Sequence, residues 1–378
     1  MINISTLEEV QERIWYLGVE PRLNSGLSPG SGGDGQAQII GAGVIGPASA
    51  EKNCKSTHLT AKQQAICSRS PPVLFHGFYL QAVSAGARLA IEECQHQFRS
   101  ARWNCSITPE NPDNIFGGVM LVNSREAAFV YAISAAGVAY SVTRACSRGE
   151  LTDCSCDNRV RTRHPNNWQW GGCSEDIHFG EKFSREWSDS GEEPVKEGVL
   201  HGPKGLAGQL MRKHDSEAGR RAVRSRMQRV CKCHGMSGSC SVRVCWRKLP
   251  AFRVAGAALA ALHEGAALVR LAQRGGRRPA RLRPARPDLK RPNKTDLVYL
   301  EDSPDYCEKN ITLGIPGTRG RICNRTSLGL DGCRLLCCGR GYQTRVRDVT
   351  EKCNCRFVWC CHVKCELCRH KREEHVCN

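Results

Sequence analysis

The chain has 378 residues, room for two or three domains with a sizeable core at roughly 100–200 residues per domain. It carries 24 cysteines and a formal net charge of +18, with 40% of its residues hydrophobic and 24% charged. So many cysteines point to an oxidising compartment and away from a reduced metabolic enzyme, and the apolar content excludes a disordered chain.

The cysteines form two sets of twelve, Cys54 to Cys245 and Cys307 to Cys377, with none between. The first set is diluted enough for a conventional core. The second places 12 cysteines within residues 307–377, a segment with too little apolar material to fold without staples.

Residues 1–53 are an unpatterned N-terminal segment, with a flexible tract over Ser28-Pro-Gly-Ser-Gly-Gly-Asp-Gly35. No basic stretch followed by a long apolar run marks a secretory signal there, which stands against the cysteine argument. Gly41-Ala-Gly43-Val-Ile-Gly46 matches a dinucleotide-binding spacing, but Pro47 follows at once and no acid lies at the ribose-binding distance.

Apolar residues at helical spacing, Leu74, Phe78, Val83, Ala87, Ile91 and Phe98, predict a helix over 73–99. Asn123 with Glu126 reads as a capping box, and the apolar run Ala127 to Tyr140 as a buried core helix, too short to span a membrane. Trp168, Trp170 and Gly171-Gly172 read as a loop beside Cys173. Residues 205–230 read as a helix made basic by Arg220, Arg221, Arg224, Arg226 and Arg229. Residues 251–265 read as an Ala-rich helix. The Arg/Pro stretch 270–294 reads as exposed and flexible, and the segment from Cys307 as short strands and tight turns.

Two constellations carry the chemistry. In Cys231-Lys-Cys-His-Gly-Met-Ser-Gly-Ser-Cys-Ser-Val-Arg-Val-Cys245, nested pairs 231–245 and 233–240 would close a hairpin tipped by His234 to Ser239. Gly235 and Gly238 permit the positive φ angles of a tight tip. Ser237 then reads as a turn serine, as a nucleophile, or as a modification site left uncrowded for another enzyme. A nucleophile elbow needs G-x-S-x-G, and position 239 is serine.

In Cys353-Asn-Cys-Arg-Phe-Val-Trp-Cys-Cys-His-Val-Lys-Cys-Glu-Leu-Cys368, nesting 353–368 and 355–365 gives a second stapled hairpin. Its tip holds Phe357, Val358, Trp359, Cys360, Cys361 and Val363, with a vicinal Cys360–Cys361 bond as a stiffener. These side chains read as a protein contact or as the small domain's own core. Cys365 and Cys368 with His362, His370 and His375 invite a zinc reading, but the cysteines do not repeat as CxxC pairs, so disulfides are expected and no metal.

The first constellation resembles the signature of the Wnt secreted signalling proteins. So do Glu93-Cys-Gln-His-Gln-Phe-Arg, Arg102-Trp-Asn-Cys-Ser106, Ser124-Arg-Glu-Ala-Ala-Phe, Trp170-Gly-Gly-Cys-Ser174, Glu217-Ala-Gly-Arg-Arg-Ala222, Asp296-Leu-Val-Tyr299, Ser303-Pro-Asp-Tyr-Cys307 and Cys337-Cys-Gly-Arg-Gly-Tyr342. The likeness covers 54–250 and 295–378 and is weak over 186–212 and 251–294.

The resemblance implies an α+β, disulfide-rich fold. A helical N-terminal domain, 54–250, would bear a stapled β-hairpin thumb, 231–245. A linker, 251–294, would lead to a small cystine-knot-like β domain, 295–378, with a finger hairpin, 353–368. It implies a non-enzymatic, secreted developmental ligand and morphogen of the extracellular matrix, made through the endoplasmic reticulum. Ser237 would carry a covalent palmitoleoyl chain, with no other cofactor, added by the acyltransferase Porcupine. An export carrier would shield the lipid, and the acyl chain would favour membrane surfaces. Ser237 and Met236, with Phe357, Val358, Trp359, Cys360, Cys361 and Val363, would grip the cysteine-rich domain of Frizzled receptors, alongside an LDL-receptor-related co-receptor.

The implied pairs are 231–245 and 233–240 in the thumb. In the C-terminal half they are Cys307–Cys338, Cys323–Cys333, Cys337–Cys377, Cys353–Cys368, Cys355–Cys365 and Cys360–Cys361. The remainder are Cys94–Cys105, Cys146–Cys154 and Cys156–Cys173, with Cys54–Cys67 left over; Cys231, Cys233, Cys240 and Cys245 complete the set. Sequons occur at Asn3, Asn104, Asn293, Asn310 and Asn324. For a secreted protein the expected polyanion is heparan sulfate, not nucleic acid, with Arg220 to Arg229 and Arg277 to Arg291 as candidate contacts.

Overall fold

A computed structural model describes residues 61–67, 76–106, 116–160, 168–190, 199, 205–272 and 280–378. The N-terminal segment, the Gly41 to Gly46 motif, Asn3, Cys54 and the side chain of Cys67 lie outside the described residues, and the 54–67 pairing with them. The fold mixes helix and strand and divides into two units.

The first unit takes the described residues up to Gln97, then Val119–Ser303. Its helices are α1 (Ala61–Cys67), α2 (His76–Phe98, whose last residue belongs to the second unit), α3 (Arg125–Ser147), α4 (Ile177–Ser190), α5 (Leu206–Arg224) and α6 (Phe252–Glu264). Helix α3 is the centre. It is apolar and long enough to cross a membrane, but its faces are covered by protein.

Small residues let the neighbours approach α3 at backbone distance. A Cβ on Gly86 of α2 would lie 2.6 Å from the Gly137 carbonyl oxygen, and one on Gly180 of α4 2.5 Å from that of Ala139. On the α5 side, Gly219 faces the Ala132 carbonyl oxygen in the same way. Ala127, Ala128, Ala132, Ala135, Ala136 and Ala139 are all buried along α3. Around its C-terminal half, Tyr79, Val83, Val138, Val142, Leu151 and Phe183 form a packed cluster, with the Tyr79 and Phe183 rings stacked at 5.2 Å. Ser124, not Asn123, caps α3: its hydroxyl accepts the Ala127 N–H at 3.4 Å.

Two sheets complete this unit. Strand β1 (Trp168–Trp170) runs parallel to β3 (Val242–Lys248), which pairs antiparallel with β2 (Gln228–His234). The two tryptophans therefore sit on a strand, not in the expected loop. Strand β4 (Ala267–Ala272) lies between β5 (Arg281–Pro284) and β6 (Val298–Tyr299). Residues 251–294 are thus no separate linker. Leu259 of α6 and Val269 of β4 are buried, and the parallel β4–β6 pairing ties the segment to the first unit.

The second unit takes Phe98–Ser106, Phe116–Gly118 and Pro304–Asn378. Its small core gathers Cys323, Cys333, Leu336, Cys337 and Cys377 around the short helix α7 (Cys333–Leu336). Strand β9 (His362–Cys377) lies between β7 (Ile322–Cys323) and β8 (Tyr342–Val358). At 17 and 16 residues, β8 and β9 are far longer than the short strands expected from the sequence. Most of this hairpin is solvent-exposed on both faces, so disulfides must supply the stiffness that burial does not.

Candidate functional site

The thumb is built from its root outward. Strand β1 lays Trp168 and Trp170 edge to face at 4.8 Å. The Arg229 guanidinium from β2 sits 4.8 Å over the Trp168 ring, and Arg247 from β3 lies 5.9 Å over Trp170. Backbone bonds fix the root to the 171–175 segment: Gly171 N–H to Cys245 O at 3.0 Å, and Glu175 N–H to Arg247 O at 3.0 Å. The Glu175 carboxylate accepts the Leu249 N–H and pairs with Arg144 of α3 at 3.4 Å. The alternation Trp-Gln-Trp was the sequence signal for this strand.

Beyond the root the hairpin leaves the core. Cys231 faces Cys245 in register, and disulfides join Cys231 to Cys245 and Cys233 to Cys240. Gly235 begins the tip, where a Cβ would collide with the Ser241 and Ser239 hydroxyls. Gly238 N–H donates to Gly235 O and Ser239 N–H to Met236 O, each at 3.1 Å. Inside this turn Ser237 holds φ 55° and ψ 29°, the left-handed region, and Gly238 follows at φ 74°. A serine there is uncommon, and such conformations gather at functional sites.

The result is a projecting point. Met236 is 91% exposed and Ser237 is exposed. Among the described residues no histidine or carboxylate hydrogen-bonds the Ser237 hydroxyl. No acid occurs between Glu217 and Glu264 in the sequence. The arrangement lacks the base and orienting acid of a serine nucleophile and offers an unencumbered hydroxyl instead.

The finger is the second unit's projection. Disulfides join Cys353 to Cys368 and Cys355 to Cys365. The pairing register slips between Cys353 and Arg356, where Asn354 takes φ 47°. Phe357, Val358 and Val363 are exposed and Trp359 is 89% exposed, so these side chains are not the domain's own core. The expected vicinal bond is corrected: Cys360 and Cys361 are free thiols, both exposed. The two residues turn the hairpin at φ 69° and 81° instead.

Elsewhere, disulfides join Cys146 to Cys154, Cys156 to Cys173, Cys307 to Cys338, Cys323 to Cys333 and Cys337 to Cys377. Cys94 and Cys105, expected as a pair, are each disulfide-bonded. The close sulfurs of Cys323, Cys333 and Cys337 belong to disulfides and are not free to bind a metal. Cys365 and Cys368, the CxxC pair, are likewise in disulfides.

Three arginines of the Arg220 to Arg229 cluster are taken up by carboxylates, while Arg229 stays exposed over Trp168. Arg220 is 1% exposed and bonds Glu217 at 3.2 Å, Arg221 bonds the same carboxylate at 2.9 Å, and Arg224 bonds Glu181 at 2.9 Å. The helical periodicity of α5 turns this side toward α4 and α3. Burial opposes the Glu217 charge, but bonds from Arg185 and Arg221 and the nearby Arg220 charge outweigh it and hold the carboxyl down at about 2. Of the expected Arg277 to Arg291 cluster, Arg277 and Arg278 lie outside the described residues and Arg286 pairs with Asp288 at 4.0 Å, while Arg281 and Arg283 on β5 are exposed, with Arg270 of β4, outside that cluster, opposite Arg283, and these three have no acidic partner among the described residues.

Residues 55–378 match the model of the wnt family. The chain is 45% identical over 324 residues to Protein Wnt-1 of Ambystoma mexicanum, covering 84% of this chain and 83% of the relative. It is 46% identical over 323 residues to Protein Wnt-2b of Homo sapiens, covering 84% and 77%. In the solved structure of human WLS in complex with WNT8A, the matched chain is 37% identical with a TM-score of 0.56, covering 79% of this chain and 94% of that one.

Proposed function

This chain belongs to the Wnt family of secreted developmental signalling ligands, and on that premise we propose that it acts by gripping the cysteine-rich domain of a Frizzled receptor with two tips. One tip is an acylated Ser237 with Met236 beside it. The other is the apolar end of the finger, Phe357, Val358, Trp359 and Val363, with Cys360 and Cys361 at the turn. The observation that carries this reading is the Ser237 hydroxyl, exposed at positive φ on a doubly stapled hairpin.

The proposed modification is a palmitoleoyl ester added by Porcupine in the endoplasmic reticulum. At about 0.8 kcal/mol per buried methylene, a 16-carbon chain in a receptor groove contributes on the order of 10 kcal/mol before ordering costs. The staples lower those costs by fixing the tip before docking. A lipid of that length also needs shielding in water. We infer that a carrier of the WLS kind exports this chain, since a solved relative is in complex with human WLS. The β4–β5 arginines supply a site for heparan sulfate, and an LDL-receptor-related co-receptor completes the proposed assembly.

Binding of the Frizzled cysteine-rich domain by the secreted chain tests the reading. Ser237→Ala should fold yet lose receptor binding; full binding by that variant would refute the acyl mechanism.

A further inference from the structure

The Cys323–Cys333 disulfide closes a loop that reads Asn324-Arg-Thr-Ser-Leu-Gly-Leu-Asp-Gly332. It is pinned throughout. Asn324 N–H donates to Asp331 O at 2.8 Å, Cys333 N–H to Asn324 O at 3.1 Å, the Ser327 hydroxyl to the Asp331 carboxylate at 2.6 Å, and Gly329 N–H to Ser327 Oγ at 3.1 Å. Fixed in this way, the loop holds Leu328 89% and Leu330 62% exposed. Two leucines held two residues apart on a fixed loop make a small exposed apolar tip. The turn closed by the Asn310–Ile315 bridge holds Ile311 exposed in the same manner.

Both apolar spots begin at the asparagine of an Asn-x-Thr sequon. At Asn324 the amide oxygen accepts the Thr326 hydroxyl at 3.0 Å and the Thr326 N–H at 3.1 Å. At Asn310 it accepts the Thr312 hydroxyl at 2.6 Å and the Leu313 N–H at 3.2 Å. These turns span only three or four residues, so they form locally, and both asparagines are exposed. The Asn293 sequon differs: its backbone N–H donates to Asp296, and nearby Leu297 is buried. Asn104 is half-buried between Trp103 and Cys105, both buried.

We propose that N-linked glycans on Asn324 and Asn310 cover the Leu328–Leu330 tip and Ile311 and keep the C-terminal unit from self-associating. The inference rests on the reading of this chain as a secreted glycoprotein. In the transfer, the asparagine amide nitrogen loses one proton and bonds C1 of an N-acetylglucosamine. The bond from that carbon to the pyrophosphate of a lipid-linked donor breaks, and the lipid pyrophosphate leaves. The sugar rings expose C–H faces that pack on aliphatic side chains, and the covalent link places the first ring within a few residues of each apolar spot. No separately diffusing partner has that advantage.

The test uses the full chain with Ser237→Ala, so that no acyl group drives aggregation, secreted from glycosylating cells. Peptide mass mapping reads the glycans. An amidase then removes them from the folded protein and leaves Asp at 310 and 324, which keeps the acceptor oxygen of each turn. Light scattering before and after should show a shift from monomer to larger species, by roughly fivefold or more in their fraction. The triple variant Leu328→Ser, Leu330→Ser, Ile311→Ser should abolish the shift. Bare Asn310 and Asn324 in secreted material would overturn the proposal while leaving the Ser237 reading untouched. A chain that stays monomeric when deglycosylated, or a triple variant that associates equally, would overturn it too.

Discussion

Cys231 and Cys245 lie directly opposite each other on β2 and β3, with Cα atoms 4.0 Å apart, at the level where the hairpin leaves the core. Cys245 is fully buried and Cys231 is exposed, so the bond ties the free strand to the anchored one. Beyond it the thumb has no buried side chain among the described residues, and the second bond, Cys233–Cys240, carries the order to the tip.

Removing that second bond should therefore loosen the tip without unfolding the first unit. The double variant Cys233→Ala, Cys240→Ala is expected to be cut by protease between His234 and Ser239 much faster than the native chain, while its helical circular dichroism and melting midpoint stay close to native. A melting midpoint that falls as far as for a core variant would show that the bond stabilises the whole unit.

The contact between α5 and α3 predicts the opposite pattern. Gly219 has no room for a Cβ against the Ala132 carbonyl oxygen, and the obstacle is backbone. Gly219→Ala should lower unfolding stability by about 1–3 kcal/mol or more, read from denaturant midpoints, with the thumb's protease resistance in the folded fraction unchanged.

Asp215 on α5 is fully buried and accepts the Val298 N–H at 2.9 Å with one carboxylate oxygen. Its other oxygen has no hydrogen-bond partner, and burial raises its pKa well above the usual carboxylate range. Asp215→Asn should equal or exceed native stability at neutral pH, because it keeps the acceptor and removes the tendency to ionise. Asp215→Ala leaves the Val298 N–H orphaned and should cost about 1–3 kcal/mol.

Glu217 gives an acid-side dependence. Its folded pKa, about 2, lies below the ordinary value of 4.5, so its stabilisation is present above that ordinary value. It is lost as pH falls from 4.5 through about 2. The loss amounts to at most about 3 kcal/mol, less the screening of a partly exposed carboxylate. Glu217→Gln should flatten that limb of the stability profile; an unchanged limb would show that other carboxylates govern it.

On the finger, Trp359→Ala should leave stability within experimental scatter, because the ring is 89% exposed. If the tip is a contact, receptor affinity should fall at least tenfold, about 1.4 kcal/mol or more. Unchanged affinity would remove the tryptophan from the interface.

The parts of this structure written in local patterns were readable in the sequence. Helices α2 and α3 show in the spacing of Phe78, Val83, Ile91 and the run from Ala127, and the nested thumb and finger pairs show in the cysteine spacing. The parts set by distant partners were not. Arg220 looked like surface charge because its burial depends on α5 packing against α3 and α4, although its ion-pair partner Glu217 lies three residues away on the same helix. The Arg/Pro stretch looked flexible because its residues 281–284 form a strand only by pairing with β4. The Wnt motifs located Ser237, and the backbone added the left-handed turn that presents its hydroxyl.

The mass of the peptide containing Ser237, measured on secreted, receptor-active protein, tests the central claim most directly. The account predicts a peptide heavier by one monounsaturated 16-carbon acyl group, absent from the Ser237→Ala variant, which does not bind receptor. Receptor-active protein carrying an unmodified Ser237 would contradict it.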